Sequence, residues 1–227
     1  MKVLTPLKGW RAFAGEVGVI VFGVLLALGA QQLVEAWQVR QDVRAFRETI
    51  DREIGFTLYT QDVRYMQIDC DLRRVAEVNA WLVKSRSGAP MPPIYPRSSL
   101  GSAPYRGAWN SRDAETYRQL PADVRQKYAM FYDGDDNLYE LTKKEGAAWR
   151  ELKRFAEPGP VSLEERRLVR PLIDSLQNWI ALDRVNIDAE RQVARELGIK
   201  SIVPQDLGES FMREAQVCHS SYEPPKP

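Results

Sequence analysis

The hydrophobic pattern divides the chain into two parts near residue 37. The first part contains 18 consecutive uncharged residues, Val17 to Val34, which as a helix would cover roughly 27 Å at about 1.5 Å per residue. This length is close to the bilayer hydrocarbon thickness of about 30 Å. Trp10 and Trp37 flank the segment, as is typical of tryptophans at the two membrane interfaces. The pattern predicts a transmembrane helix over residues 10–37, with these tryptophans as interface anchors.

Two other interpretations of the apolar segment remain open. A buried core helix can be equally apolar, although such a helix is rarely this long. A signal peptide would also have a basic start and a small-x-small cleavage site such as Ala27-Leu28-Gly29. Against cleavage, Glu16 opens the apolar run and the helical pattern continues through that site. We therefore expect an uncleaved anchor comprising residues 1–37.

Beyond Trp37 the apolar residues keep a helical spacing. Their separations of four and three residues place them on one face of a helix. The first members of this stripe are Val39, Val43, Phe46, Ile50 and Ile54. No proline occurs between Pro6 and Pro90. We expect one long helix that leaves the membrane and ends near residues 85–88.

Capping and breaking residues predict the elements that follow. Residues 88–104 are rich in proline, glycine and serine, which is typical of a connecting loop. Ser111 is the expected N-cap of a short helix that ends at Leu120, and Pro121 suits the first turn of the next helix. That helix should break or bend at residues 133–135 and stop at residues 157–160.

The last long helix has a clear start and end in the sequence. Ser162 and Glu165 have the spacing of a capping box, and Gly198 suits the residue after a helix. Pro171 should kink this helix or mark its true start. A short helix is expected at 207–217, and a disordered tail at 219–227. Because no segment shows strand alternation, the sequence predicts an all-α domain over residues 38–218.

Charge and histidine content limit the chemistry of the chain. The 32 basic and 31 acidic residues give a net charge of +1, which argues against nucleic acid as a partner. A histidine-based metal cluster or catalytic triad would depend on the one histidine, His219. Residues 133–137 are rich in oxygen ligands but lack the EF-hand spacing, so a solvated helix break is preferred there. We predict no catalytic residue, no metal site and no cofactor.

The two cysteines and the flanking charges bear on topology. Cys70 and Cys218 are compatible with one disulfide in an oxidising compartment, and two unrelated buried thiols are the alternative. Positive charge is slightly greater before the apolar segment than after it, because the amino terminus adds to three basic residues there and no acidic residue precedes Glu16; this indicates a cytoplasmic N-terminus. The residues compared are Lys2, Lys8 and Arg11 with Arg40, Arg44 and Arg47. These features predict a single-pass inner-membrane protein with a periplasmic C-terminal domain.

Four residues of the apolar helix share one face. Glu16, Gly23, Ala27 and Ala30 are separated by seven, four and three residues. Gly23 and Ala27 form a small-x-x-x-small pair of the kind that lets membrane helices approach closely. An acidic group at the edge of a membrane prefers a protein partner or the headgroup layer. The face predicts packing against another membrane subunit or a copy of the same chain, and a lone anchor with accidental small residues is the alternative.

This segment also resembles one found in a group of uncharacterised Gram-negative bacterial proteins. Glu16, the run Gly23-Val24-Leu25-Leu26-Ala27-Leu28 and Trp37 are similar to their N-terminal single-pass helix, which precedes a helical extramembrane domain. Cys70-x-x-Arg73 and Cys218 are similar to a subset with two separated cysteines. The rest of the chain matches only in layout. The resemblance implies topology and bacterial origin, and no catalytic residue.

These observations favour a non-enzymatic accessory subunit that binds or stabilises a larger inner-membrane complex. Its expected partners are the lipid bilayer and other membrane-protein subunits or copies of itself, with no small-molecule substrate identified. A periplasmic sensory or ligand-binding helical domain is the alternative. An enzyme that uses only aspartate, glutamate and arginine would need a spacing that the sequence does not show.

Overall fold

The structure, a computed structural model, describes residues 9–96, 105–205, 213 and 216–224. The regular elements in these ranges are all α-helices, so the predicted all-α class is confirmed for this part of the chain. The helices are α1 (Gly9–Lys84), α2 (Gly107–Asn110), α3 (Ala114–Arg118), α4 (Ala122–Phe155) and α5 (Leu163–Leu197).

Helix α1 contains 76 residues in one continuous element. No proline interrupts its backbone hydrogen bonds, and it ends at Lys84, next to the predicted range. From residue 13 to residue 42 its side chains are exposed, with only Gly29 half-buried. From Ile50 onward one face of the same helix is buried. We call residues 13–37 the apolar segment, and α1 from Val43 onward together with α2–α5 the helical domain.

The buried positions of the three long helices repeat every seven residues. A repeat of 3.5 residues keeps one seam of a helix facing its neighbours, as in coiled coils. On α5 the buried residues are Val169, Ile173, Leu176, Ile180, Asp183, Ile187, Glu190 and Ala194. The same alternation of four and three residues runs along α1 from Ile50 to Leu82. Helix α5 packs against both α1 and α4 along these seams.

Two apolar clusters fill the core of the helical domain. The proximal cluster, nearer the apolar segment, includes Ile50, Ile54 and Phe131. The distal cluster, near the end of α1, includes Val78 and Leu152, and the buried Trp149 lies in it as well. Burial of each such side chain contributes about 1.5–3 kcal/mol to folding. The polar residues described below lie between and within these clusters.

The region before α4 differs from the sequence prediction. Ser111 is the C-cap of α2, and its hydroxyl donates to the carbonyl of Gly107 at 2.7 Å. The N-cap of the next helix is Asp113, whose carboxylate accepts from the Thr116 N–H at 2.7 Å. An ionised side chain at this position also interacts favourably with the helix dipole. The prediction of Ser111 as the N-cap is therefore wrong by two residues.

The predicted helix break at residues 133–135 is also wrong, because α4 runs without interruption from Ala122 to Phe155. Gly134 lies against α5, where an added Cβ would come within 2.9 Å of Glu190 Cγ. Asp135 is buried and accepts a hydrogen bond from Arg106 at 3.2 Å. Glycine and aspartate therefore serve helix packing here, and they do not end the helix.

Other predicted boundaries are confirmed. Ser162 and Glu165 form a capping box with both reciprocal hydrogen bonds, and α5 starts at Leu163. Pro171 therefore lies inside α5 and does not begin it. Gly198 follows the helix with a left-handed φ of 77°, which glycine adopts without strain. The predicted short helix at 207–217 lies mostly outside the described residues.

Candidate functional site

The four residues of the predicted packing face lie on α1 and are all exposed. Glu16, Gly23, Ala27 and Ala30 share one side of the apolar segment, and a Cβ added at Gly23 would meet no atom within 4 Å. In the described part of the chain this face therefore has no intramolecular partner. Trp37 is also exposed, at 60% of its surface, whereas the side chain of Trp10 lies outside the described residues.

The rest of the apolar segment is equally uncovered. Its length and composition would allow it to cross a membrane, and none of the 18 residues in its most apolar window is buried. Large hydrophobic side chains point outward on every side of the helix. They include Phe13, Val19, Ile20, Phe22, Leu25, Leu26 and Leu33, each more than half exposed. A continuous apolar surface of this kind marks a membrane or protein interface in a folded protein.

The predicted disulfide joins Cys70 on α1 to Cys218 near the C-terminus, with 5.4 Å between the two Cα atoms. Polar contacts continue from this bond along α1. The Glu77 carboxylate accepts from the Ser220 hydroxyl and from the Ser221 N–H, each at 2.8 Å. Ser221 is fully buried. Residues 219–224 are therefore ordered against α1, which differs from the disordered tail predicted for 219–227.

His219 lies in this ordered segment, and its Nδ1 is 3.2 Å from the carboxylate of Glu223. Neighbouring Tyr222 is half-buried, and burial and then the charge of Glu77 raise the pKa of its hydroxyl to about 12. Among the described residues, no group of three or more histidine, cysteine, aspartate or glutamate side chains is placed to hold a metal ion. The disulfide and the hydrogen bonds to Glu77 fix residues 218–222 to α1.

A buried arginine at the centre of the helical domain connects all three long helices. Arg64 on α1 has 1% of its side chain exposed. Its guanidinium donates to Asp71 on α1, Glu145 on α4 and Asp183 on α5, each at 2.6 Å. Charge-assisted bonds of this length are stronger than neutral ones. We call these four residues, together with Arg74, the Arg64 network.

Arg74 completes the Arg64 network. Its guanidinium donates to Asp71 at 3.1 Å and lies 5.0 Å from the centre of the Trp149 ring. Burial lowers the pKa of Arg64, but the nearby carboxylates outweigh this effect and the net pKa is raised. Burial is the largest effect on the pKa of Glu145 and of Asp183, and both pKa values are raised although Arg64 lowers them. Three carboxylates share two cations here, and Asp71 keeps 11% of its side chain exposed.

A second polar layer lies one turn nearer the apolar segment. The Gln61 amide donates to the carboxylate of Glu190, which is 3% exposed. Burial, followed by the charge of Asp135, raises the pKa of Glu190 to about 9. Burial raises the pKa of Asp135 itself to about 6, despite its bonds to Arg106. The raised pKa favours the protonated form of Glu190 at neutral pH, so that Glu190 does not add a second negative charge beside Asp135, which is paired with Arg106.

Glu53 fixes the connection before α4. Its carboxylate accepts from the backbone N–H groups of Ala108 and Trp109 at 2.6 and 3.1 Å, and from the Tyr132 hydroxyl at 2.5 Å. These donors belong to the first turn of α2, whose amides have no partner within the helix. Burial and this bond raise the pKa of the Tyr132 hydroxyl. Glu53 thus anchors α2 to α1.

The charged groups of the Arg64 network bind mainly to one another. The Arg64 guanidinium donates to one oxygen each of Asp71, Glu145 and Asp183, and only 1% of the Arg64 side chain is exposed. A general base must lie within hydrogen-bond distance of the proton that it removes. Buried polar groups can instead specify the alignment of packed helices. We therefore interpret the Arg64 network as a set of contacts that fixes the axial alignment of α1, α4 and α5 relative to one another.

The sequence contains a signal for this network that apolar spacing alone misses. On α5 the apolar stripe has a gap of seven residues between Ile180 and Ile187, and Asp183 fills it at heptad spacing. On α1 Arg64 and Asp71 are likewise seven residues apart, and they alternate with Ile68 and Val75 along the same buried seam at spacings of four and three residues. A charged residue at a position where the heptad spacing predicts a buried apolar side chain is a candidate for a buried ion pair.

Comparison with protein-family models, with curated proteins and with solved structures found no match. The resemblance of the N-terminal helix to the Gram-negative group therefore stays a prediction. The function of the chain has to be inferred from its own residues.

Proposed function

We propose that the protein is a single-pass membrane protein and a non-enzymatic accessory subunit of a larger inner-membrane complex. The observation that carries this proposal is the apolar segment of α1, which is exposed on all sides and continues without a break into a helical domain. A helix of this composition needs lipid or another protein around it, because exposing it to water is costly.

The Cys70–Cys218 disulfide supports a periplasmic location for the helical domain. Disulfides persist in oxidising compartments such as the bacterial periplasm and are rare in the cytosol. The basic residues before the apolar segment favour the same orientation. The N-terminus is then cytoplasmic, and the helical domain lies on the periplasmic side of the inner membrane.

The face formed by Glu16, Gly23, Ala27 and Ala30 is the proposed contact with the partner. Small side chains allow two helix backbones to approach closely, and dispersion contacts then stabilise the pair in lipid. Glu16 would meet a hydrogen-bond donor of the partner or the headgroup layer. The partner is a transmembrane helix of another subunit or of a second copy.

A pair of double variants tests this contact. Gly23→Leu with Ala27→Leu adds bulk to the proposed face, and Ala14→Leu with Gly18→Leu adds the same bulk on the opposite face. Each protein is extracted from native membranes in a mild detergent, and its complex size and co-migrating proteins are measured by native electrophoresis and mass spectrometry. We expect the first pair to lose the larger complex and the second to keep it.

Two results would contradict the proposal. If both double variants migrate like the wild type, the face is not a contact. If only the control pair dissociates, the partner binds the opposite face. Topology is tested separately with a maleimide that cannot cross the inner membrane, applied to intact cells with and without reductant. Labelling of Cys70 and Cys218 only after lysis would exclude a periplasmic domain.

A further inference from the structure

A cavity of about 560 Å³ opens at the end of the helical domain that is remote from the apolar segment. The extended residues after α1 form one wall, and the last turns of α4 form the other. Met91, Ile94 and Tyr95 line the first wall, and Arg150, Lys153 and Arg154 line the second. The volume falls within the range of small-molecule sites, about 300–1,000 Å³.

The apolar wall of this cavity is held in place by the fold. Met91 and Ile94 are 3% and 2% exposed because both belong to the distal cluster, so they support the wall from behind, and Pro93 and Tyr95 present its accessible surface. The backbone of the segment is fixed at both ends: the Gly88 N–H donates to the Val161 carbonyl at 2.8 Å, and the Tyr95 N–H donates to the Ser221 carbonyl at 2.9 Å. A ligand would therefore meet a preformed surface and would not have to order it.

The other wall carries cations that the described part of the chain leaves largely unpaired. Arg154 lies 3.0 Å from the Glu151 carboxylate. No acidic side chain among the described residues lies within 4 Å of the charged groups of Arg150 or Lys153. Glu157 is the one acid in the lining, so the cavity wall has a net charge of +2. An apolar surface beside unpaired cations complements a molecule with an apolar body and an anionic head.

A second recess of the helical domain is also lined by basic side chains. This smaller recess lies at the start of α5 and is lined by Arg166, Arg167 and Arg170. Arg166 donates to the backbone carbonyls of Leu82 and Ser85, which fixes this recess to the end of α1. Its charge remains, because both acceptors are neutral. Clustered positive charge raises the local concentration of anions and their rate of association.

We propose that this cavity binds a small amphiphilic anion, with its chain against Pro93, Tyr95 and Pro158 and its carboxylate or phosphate group at Arg150 and Lys153. The ligand arrives from the aqueous side, because Tyr95 lies beside Arg74, and Arg74 is roughly 50 Å along α1 from residue 42, the last residue of the exposed part of the helix. The proposal does not depend on the accessory role argued above, since it concerns the opposite end of the molecule.

Photo-crosslinking of the full chain in zwitterionic nanodiscs tests the proposal. The probe is a diazirine-bearing decanoic acid, compared with the decanol of the same diazirine position, and the labelled peptides are identified by mass spectrometry. Unlabelled decanoate and decyl phosphate compete in separate arms, which distinguish the two head groups. We expect the acid to label peptides that contain Met91–Tyr95 or Ala156–Pro158, and the alcohol to label them much less.

A matched pair of variants separates cavity binding from general charge effects. Arg150→Gln with Lys153→Gln should reduce the labelling of these peptides by at least about tenfold, since two charge-assisted hydrogen bonds are removed. Lys143→Gln with Lys144→Gln removes the same charge elsewhere on α4 and should leave the labelling unchanged. Circular dichroism checks that all variants are folded. Equal labelling by acid and alcohol, equal labelling of both variants, or label confined to residues 13–37 would overturn the proposal.

Discussion

Replacement of Arg64 by methionine isolates the energetic role of the buried charge. Methionine keeps much of the aliphatic length of arginine, so little cavity is created, but three carboxylates lose their shared cation. Removal of one partner from a buried ion pair typically costs about 3–5 kcal/mol. Total stabilities of small domains are about 5–15 kcal/mol. Arg64→Met should therefore remove a large fraction of the stability of the helical domain.

Two further variants decide whether the cost comes from unpaired charge. The triple variant Arg64→Met, Glu145→Met and Asp183→Leu leaves Asp71 paired with Arg74 and removes the other two carboxylates. It should recover most of the loss, because apolar replacements of buried ion pairs are often neutral or stabilising. Arg184→Met breaks a 2.6 Å pair with Asp69 on the surface and should cost much less than Arg64→Met, because exposed ion pairs contribute little to stability.

The assay is urea unfolding of the full chain in a mild detergent, followed by tryptophan fluorescence. Trp149 packs beneath Arg74 and reports on the core, whereas the helical signal of the apolar segment would persist in micelles. The decrease in the free energy of unfolding caused by Arg64→Met should grow as the pH rises, because the carboxylates that have lost their cation then ionise. If Arg64→Met costs no more than Arg184→Met, or if the triple variant recovers nothing, the reasoning is wrong.

Three other predictions concern single contacts. The pKa of Glu190 is raised from 4.5 to about 9 in the folded protein, so the free energy of unfolding should fall as the pH rises between these values. Glu190→Gln should flatten this pH dependence and raise the melting temperature at pH 8.5, while the control variant Glu164→Gln should do neither. Gly134→Ala should lower the melting temperature because its Cβ would crowd Glu190, whereas Gly146→Ala should raise it slightly by helix propensity. Cys218→Ser should cost up to about 5 kcal/mol in chemical unfolding, and added reductant should then have no further effect.

The sequence predicted the long helices well because their signals are local. Ser162 and Glu165 bond within one helical turn, so their spacing alone specifies the capping box. Gly198 likewise ends α5 through its own backbone conformation. The prediction at residues 133–135 was wrong because the partner of Gly134 lies on α5, 56 residues away in the chain. Turn-forming residues have the same appearance in a sequence whether they break a helix or allow close packing.

The buried polar residues were harder to predict for a related reason. Burial of Arg64 depends on three carboxylates from three helices, two of which lie 81 and 119 residues away. Nothing in the neighbourhood of Arg64 specifies those partners. The heptad phase of Arg64 and Asp183 indicates burial, but only the packing of the helices shows which charges meet. The Cys70–Cys218 bond was accessible to prediction because the chain offers only one possible pair.

The continuity of α1 has a consequence for orientation. Each residue of an α-helix turns the chain by about 100° and advances it by about 1.5 Å. No proline lies between the apolar segment and the buried seam that begins at Ile50. The angle about the helix axis between the side of α1 that carries Gly23 and the side that carries this seam is therefore fixed. One residue inserted between Trp37 and Phe46 would turn the helical domain by about a quarter of a revolution, whereas seven would nearly restore it. The continuous helix therefore fixes the direction of the helical domain relative to the face formed by Glu16, Gly23, Ala27 and Ala30.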